Sequence, residues 1–265
     1  MPTVTPVGLL LILLPVGLFS AMVAAALVGH RLAVRQRQRP DAGAEVGTSA
    51  IDAAVLGLLG LLVAFWFSSA GTRLDVRRSL IVEEANAIGT AWLRLELLPA
   101  ATGTAVRDLF RGYADVRLAQ TTGSLQADTQ ASLDRRLTDL REKIWRQAVA
   151  AAPECESDQA AAILLESLNE MFDAGTRHQA FFNAHTPTAI LILLLTVAVF
   201  AAVLAGHDMG GRGAFHWLHA VVFAGVVSLT IWVIYDLEMP RYGLIRVDNF
   251  DATMRAVRAD FDRPR

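Results

Sequence analysis

At 265 residues, with 54% hydrophobic and only 19% charged residues, the chain is more apolar than an ordinary soluble domain, whose apolar share is about 45–50%. A net charge of −2 supplies no basic field to gather nucleic acid, which is set aside as a partner. The single cysteine, Cys155, excludes an intrachain disulfide and thiolate metal clusters.

An apolar run at about residues 7–28 is long enough to cross a hydrocarbon core, which needs roughly 20 residues. Ala24-Ala25-Ala26 resembles a signal cleavage site, but no Lys or Arg precedes the run and its length exceeds a signal core, so it is read as a retained span. Its basic cluster follows it instead, at Arg31, Arg35, Arg37 and Arg39. A second run covers about 51–70, and no proline occurs from 51 to 98. Beyond it, Leu80, Ile81, Ala85, Ile88, Trp92, Leu95 and Leu98 recur at spacings of one, three and four, an amphipathic helical pattern. One helix is therefore predicted from about 51 to 98, near 70 Å long, stopped by Pro99 and Gly103. Three more helices follow at about 104–121, 126–151 and 157–185, divided by the Thr121-Thr122-Gly123-Ser124 turn and by Pro153. Spans three and four occupy about 187–206 and 215–235. Pro240 then ends the helix, Arg241 and Tyr242 are natural interface anchors, and Gly243 allows a turn. The tail from Val247 carries Phe250, Met254, Val257 and Phe261 at helical spacing, a short helix expected to dock on the insert.

The fold class is thus all-α: a polytopic membrane protein with four transmembrane helices and a helical insert between spans two and three. Its expected organisation is a first transmembrane pair (1–70), the insert (71–186), a second pair (187–235) and a tail (236–265). Four spans put both termini and the insert on one side. Arginines in the loop 29–50 are balanced by Arg73, Arg77, Arg78, Arg241, Arg246 and Arg255 on the opposite side, so the charge count favours neither orientation.

LGLLGLLVAFWFS (56–68), IVEEANAIGTAWLRLELLP (81–99) and DLEMPRYGLIRVD (236–248) resemble the bestrophin-like domain family of bacterial membrane proteins. The order of two spans, insert, two spans and tail is similar, more distantly, to the bestrophin anion channels. That resemblance implies a homo-oligomer, a pentamer by analogy, in the bacterial inner membrane, with the second span lining a pore for small anions. The sequence departs from the pattern in lacking an acidic calcium clasp of the animal type and in reading TSAID (48–52) where relatives carry a polar His-Asn pair.

Within the second span, Gly57, Gly60, Ala64, Ser68 and Gly71 form a small-residue ridge suited to packing within the bundle. The other side presents Leu58, Leu62, Phe65 and Ser69, pore-lining candidates that in an oligomer would make an apolar constriction. Arg73 and Arg77, one turn apart, read either as cations of a pore vestibule or as snorkelling headgroup contacts. Glu83, Glu84, Asn86 and Arg94 are interhelical polar candidates, the carboxylates needing arginines such as Arg94 or Arg177 if buried.

His178 and His185 share an apolar stripe with Leu164, Leu168, Met171, Gly175 and Phe182, and read as core residues. His207, Asp208, His216 and His219 flank the loop between spans three and four, where interfacial histidines beside Trp217 are a simpler account than a metal site. There is no phosphate-binding loop, dinucleotide fingerprint or nucleophile elbow, so no catalytic residue and no cofactor is assigned. Two functions stand: an oligomeric channel for anions, or a membrane-anchored helical sensor or scaffold without transport.

Overall fold

A computed structural model describes residues 6–38, 48–121, 127–184, 186–239 and 248–263. Among them are eight α-helices and no strand: α1 (Pro6–Arg37), α2 (Thr48–Arg94), α3 (Ala100–Thr121), α4 (Ala127–Ala151), α5 (Asp158–Asn183), α6 (Thr188–Arg212), α7 (Trp217–Glu238) and α8 (Asp248–Asp260). Four of them, α1, α2, α6 and α7, are long and apolar enough to cross a membrane. The continuous helix expected after the second apolar run is present: α2 is unbroken to Arg94 and tightens into a 3-10 turn at Leu95–Leu97 before Pro99.

Two helices overshoot their apolar runs. Helix α1 continues through Arg31 to Arg37, with Arg35 and Arg37 in its last turn, where cations complement the exposed carbonyls of a helix end. Pro15 sits inside it, as membrane helices tolerate. Helix α6 runs to Arg212 and stops at Gly213, whose φ of 105° is accessible to glycine at little cost. The Thr122–Ser124 part of the predicted turn, His185, and the anchors Arg241, Tyr242 and Gly243 lie outside the described residues.

The chain divides into two compact units, Met1–Leu74 with His185–Ile245, and Asp75–Ala184 with Arg246–Arg265. In the first, α1 packs on α6 and α7. Beside larger buried residues such as Met22, Leu194 and Ile231, the contact is rich in buried alanines: Ala25, Ala26 and Ala33 from α1, Ala198, Ala201 and Ala202 from α6, Ala220 and Ala224 from α7. The close approach rests on glycine. A Cβ on Gly206 would run into the Ala26 carbonyl, one on Gly29 into the Val203 carbonyl, and one on Gly210 would lie 2.6 Å from the Ala33 methyl. By contrast, a Cβ on Gly57, Gly60 or Gly71 meets nothing within 4 Å. This corrects the expectation that the α2 ridge packs within the bundle: α2 buries Leu59, Trp66, Ala70 and Leu74 instead.

Gly206→Val is therefore expected to lower the thermal stability of the detergent-solubilised protein by the equivalent of about 1–3 kcal/mol or more, because backbone cannot yield as a side chain can. Gly57→Ala, with open space around it, should leave the melting temperature unchanged. Equal melting temperatures for wild type and Gly206→Val would overturn this account.

The second unit has a conventional amphipathic core. Helix α4 buries Leu137, Leu140, Ile144, Ala148 and Ala151, and α5 buries Leu164, Leu168, Met171 and Phe172, each at helical spacing. Ser157 caps α5, its side chain accepting from the Ala160 amide at 3.1 Å. The tail helix α8 packs on α3, and Met254 and Phe261 enter the core. Phe261 stacks on Trp92 with centroids 4.2 Å apart, and Phe110 lies 5.8 Å from both rings. Burying each such aromatic contributes roughly 2–3 kcal/mol.

Candidate functional site

The apolar half of α2 turns most of its surface away from its own chain. Leu58 is 48% exposed and Phe65 66%, Leu62 is half-buried and Ser69 exposed. These four positions follow helical spacing over three turns, so they share a side of the helix.

Just past them, Arg73 reaches back one turn and donates through Nη1 to Ser69 Oγ at 2.6 Å. Its Nε donates to Glu238 Oε1 at 3.0 Å, and Nη2 donates to the same oxygen. Thr186 Oγ1 adds a third hydrogen bond to that oxygen at 2.8 Å. Glu238, at the last position of α7, is buried while the Arg73 side chain is 22% exposed.

Arg77 has a different environment. It is 1% exposed, its Nη2 donates to the Ala184 carbonyl at 3.3 Å, and its guanidinium lies 5.8 Å from the Phe182 ring centre. The turn on which it sits is covered, where that of Arg73 is half-open. Asn86, expected to link helices, is exposed, and Arg94 donates to the Ile163 carbonyl at 3.2 Å rather than to a carboxylate. Glu83 accepts from Arg177 at 2.6 Å, and Arg177 also reaches Glu170 at 2.7 Å.

Glu84 is the centre of a sealed polar cluster. Arg117 on α3 donates to it through Nε and through Nη2, the latter at 2.6 Å, and His178 on α5 donates through Nδ1. The exposures of Glu84, Arg117 and His178 are 0%, 3% and 2%, so no substrate reaches them. Arg117 Nη1 continues to Gln120 Oε1 at 2.8 Å, and Gln120 to Asp134 at 2.6 Å, where Gln179 also donates at 3.1 Å. Gly175 makes room: a Cβ there would lie 3.2 Å from both Glu84 Oε1 and the Tyr113 hydroxyl. Burial works against the Arg117 cation, and the adjacent Glu84 carboxylate more than reverses it, so the guanidinium stays charged. Burial also pushes the Tyr113 hydroxyl well above its ordinary value, keeping it neutral. With both Glu84 oxygens bonded and the cluster closed to solvent, the arrangement joins α2, α3 and α5.

The sequence reading missed Arg117. The signal was present, since Arg117 continues the apolar stripe Val106, Phe110, Tyr113 at spacings of four, three and four. A cavity of about 480 Å³ is lined by Asp52 and Leu56 of α2, by Asp208 and Met209, and by His216 and His219, whose rings are 5.7 Å apart. His207 turns away to Gln36 Oε1 at 2.8 Å. Among the described residues, no group of three or more His, Cys, Asp or Glu side chains is placed to hold a metal.

Four helices fit to cross a bilayer, joined to a helical unit with a buried ion pair, define a polytopic helical membrane protein. The family model for the Bestrophin-like domain matches residues 16–249, and the chain belongs to that family. A bacterial bestrophin homologue from Klebsiella pneumoniae, solved by Zn-SAD phasing, superposes with a TM-score of 0.67 at 14% identity, over 92% of this chain and 98% of its own. A point mutant of a bestrophin homologue from that organism gives 0.68 at 14%, over 93% and 99%. A crystal structure of a membrane protein gives 0.68 at 13%, over 92% and 98%. At these identities the likeness concerns the fold. No curated protein matches the sequence.

Proposed function

We propose that the protein is one subunit of a homo-oligomeric channel of bestrophin-like architecture that passes small anions across the bacterial cell membrane, with α2 lining the pathway and no enzymatic activity. The observation that carries this reading is the exposure of α2. Only 11% of its apolar window is buried by its own chain, against 28% for each of the other three spans. Leu58 and Phe65 therefore need lipid or further copies to cover them, and a ring of copies would make of them an apolar constriction. Family membership and the α2 motif support the channel class, and the family resemblance supports anions as the cargo. Arg73, at the end of the apolar stretch, is the remaining candidate vestibule cation.

Purified protein in liposomes is expected to pass chloride above the level of empty vesicles, and size measurement in detergent is expected to give an oligomer large enough to enclose a central path. Phe65→Ala should raise that flux, because a smaller side chain widens the constriction and weakens dewetting. A monomer or dimer in detergent, with no chloride, nitrate or monovalent cation flux at any voltage, would leave the sensor or scaffold reading in place of this one.

A further inference from the structure

We propose that Glu238 sets the ion selectivity of the pathway by balancing the charge of Arg73, an inference that rests on α2 lining an ion path. Arg73 stands one turn beyond Ser69 and uses all three guanidinium nitrogens: Nη1 on Ser69 Oγ at 2.6 Å, Nε on Glu238 Oε1 at 3.0 Å, and Nη2 on that same carboxylate oxygen. The two members of the pair are unequally placed. The arginine side chain is 22% exposed and bonded to an exposed serine of the outward-turned face, whereas the carboxylate side chain is 4% exposed, behind it. Thr186 Oγ1, at 2.8 Å, fixes the carboxylate from another direction, so Glu238 is held in place rather than swinging with Arg73.

An ion moving past Ser69 then meets a cation with an anion directly behind it. The field of such a pair falls off faster than that of a bare charge, and its pull on anions at the path is small. With Glu238 neutralised, each subunit would present an unbalanced positive charge at the end of the apolar stretch. In water, one such charge at about 4 Å enriches a counter-ion roughly fivefold. Glu238 is thus a selectivity-determining residue that touches no ion itself: it acts through Arg73. The sequence pattern gives no hint of this, since 165 positions separate the partners.

The test is the reversal potential of wild type, Glu238→Gln, Arg73→Gln and the double variant in planar bilayers with asymmetric sodium chloride, near 0.01 M, where the screening length is about 30 Å. Glu238→Gln is expected to raise the chloride-to-sodium permeability ratio by at least about fivefold, since sodium is depleted as chloride is enriched, and this rise should vanish in the Arg73→Gln background. An unchanged ratio in Glu238→Gln, or the same rise with and without Arg73, overturns the inference while the channel reading stands. A wild type that carries no current overturns the channel reading and the inference together. Should Glu238→Gln fail to assemble, the charge swap Arg73→Glu with Glu238→Arg preserves the pair and places the carboxylate at the more exposed end. Its selectivity should shift toward sodium, and an unshifted selectivity overturns the inference.

Discussion

Replacing Arg117 by methionine is expected to destabilise the unit formed by residues 75–184 and 246–265 by about 3–5 kcal/mol, because the Glu84 carboxylate would remain buried at 0% exposure without its cation. Against the ~5–15 kcal/mol that holds a typical domain folded, this is a large fraction. The loss should be read as a fall in the midpoint of chemical or thermal unfolding followed by helical circular dichroism. Glu84→Gln should cost somewhat less, since a glutamine oxygen still accepts one of the Arg117 donors. The pair Glu84→Leu with Arg117→Met should recover much of the loss, since apolar groups of similar volume remove both buried charges at once. If Arg117→Met unfolds with the wild-type midpoint, the cluster does not hold these helices together.

Ala87→Pro is expected to have a comparable effect by a backbone route. Proline at this position removes the amide that bonds back to residue 83 and places its ring against that carbonyl, costing about 3 kcal/mol or more. The damage falls between Ala85, Ile88 and Ala91, all fully buried, so the kink would displace core side chains as well as break a hydrogen bond. Size-exclusion profiles should show aggregated or absent protein, while Ala87→Ser, at a half-buried position, should elute as wild type does. A normally assembled Ala87→Pro protein would mean that α2 tolerates a hinge there, as α1 tolerates Pro15.

Much of the fold was legible because it is written in periodicities. The four apolar runs and the stripe from Leu80 to Leu98 gave the helices, since bilayer thickness and helical pitch act on each segment locally. Partner choice was legible only in part. A carboxylate on the stripe of α2 and an arginine on the stripe of α3 each lie on a face otherwise apolar, which announces burial, and two buried opposite charges imply each other. Arg94 and Arg177 were nearer guesses for Glu84, yet Arg94 is taken by a carbonyl and Arg177 by Glu83 and Glu170. The glycine ridge was misplaced for a similar reason. Gly57, Gly60 and Gly71 fit the small-residue pattern as well as Gly206-His-Asp-Met-Gly210 does, and spacing alone does not tell which ridge meets another helix and which stays open. Nor does it separate Arg73 from Arg77: one turn apart on one helix, the first reaches Ser69 and Glu238, and the second is closed under Phe182 and the Ala184 carbonyl.

The stacked pair of Trp92 and Phe261 also bears on how the chain is made. The unit that begins at Asp75 leaves a hole in its core until Phe261 arrives, and both α6 and α7 are synthesised in between. At roughly 5–20 residues per second, translation from Ala184 to Phe261 lasts on the order of ten seconds. During that interval Trp92 and Phe110 lack a ring that will cover them. The helices of this unit therefore stay incompletely closed while two apolar segments are made, and a chain cut short before Phe261 would keep an aromatic hollow beside Trp92 and Phe110.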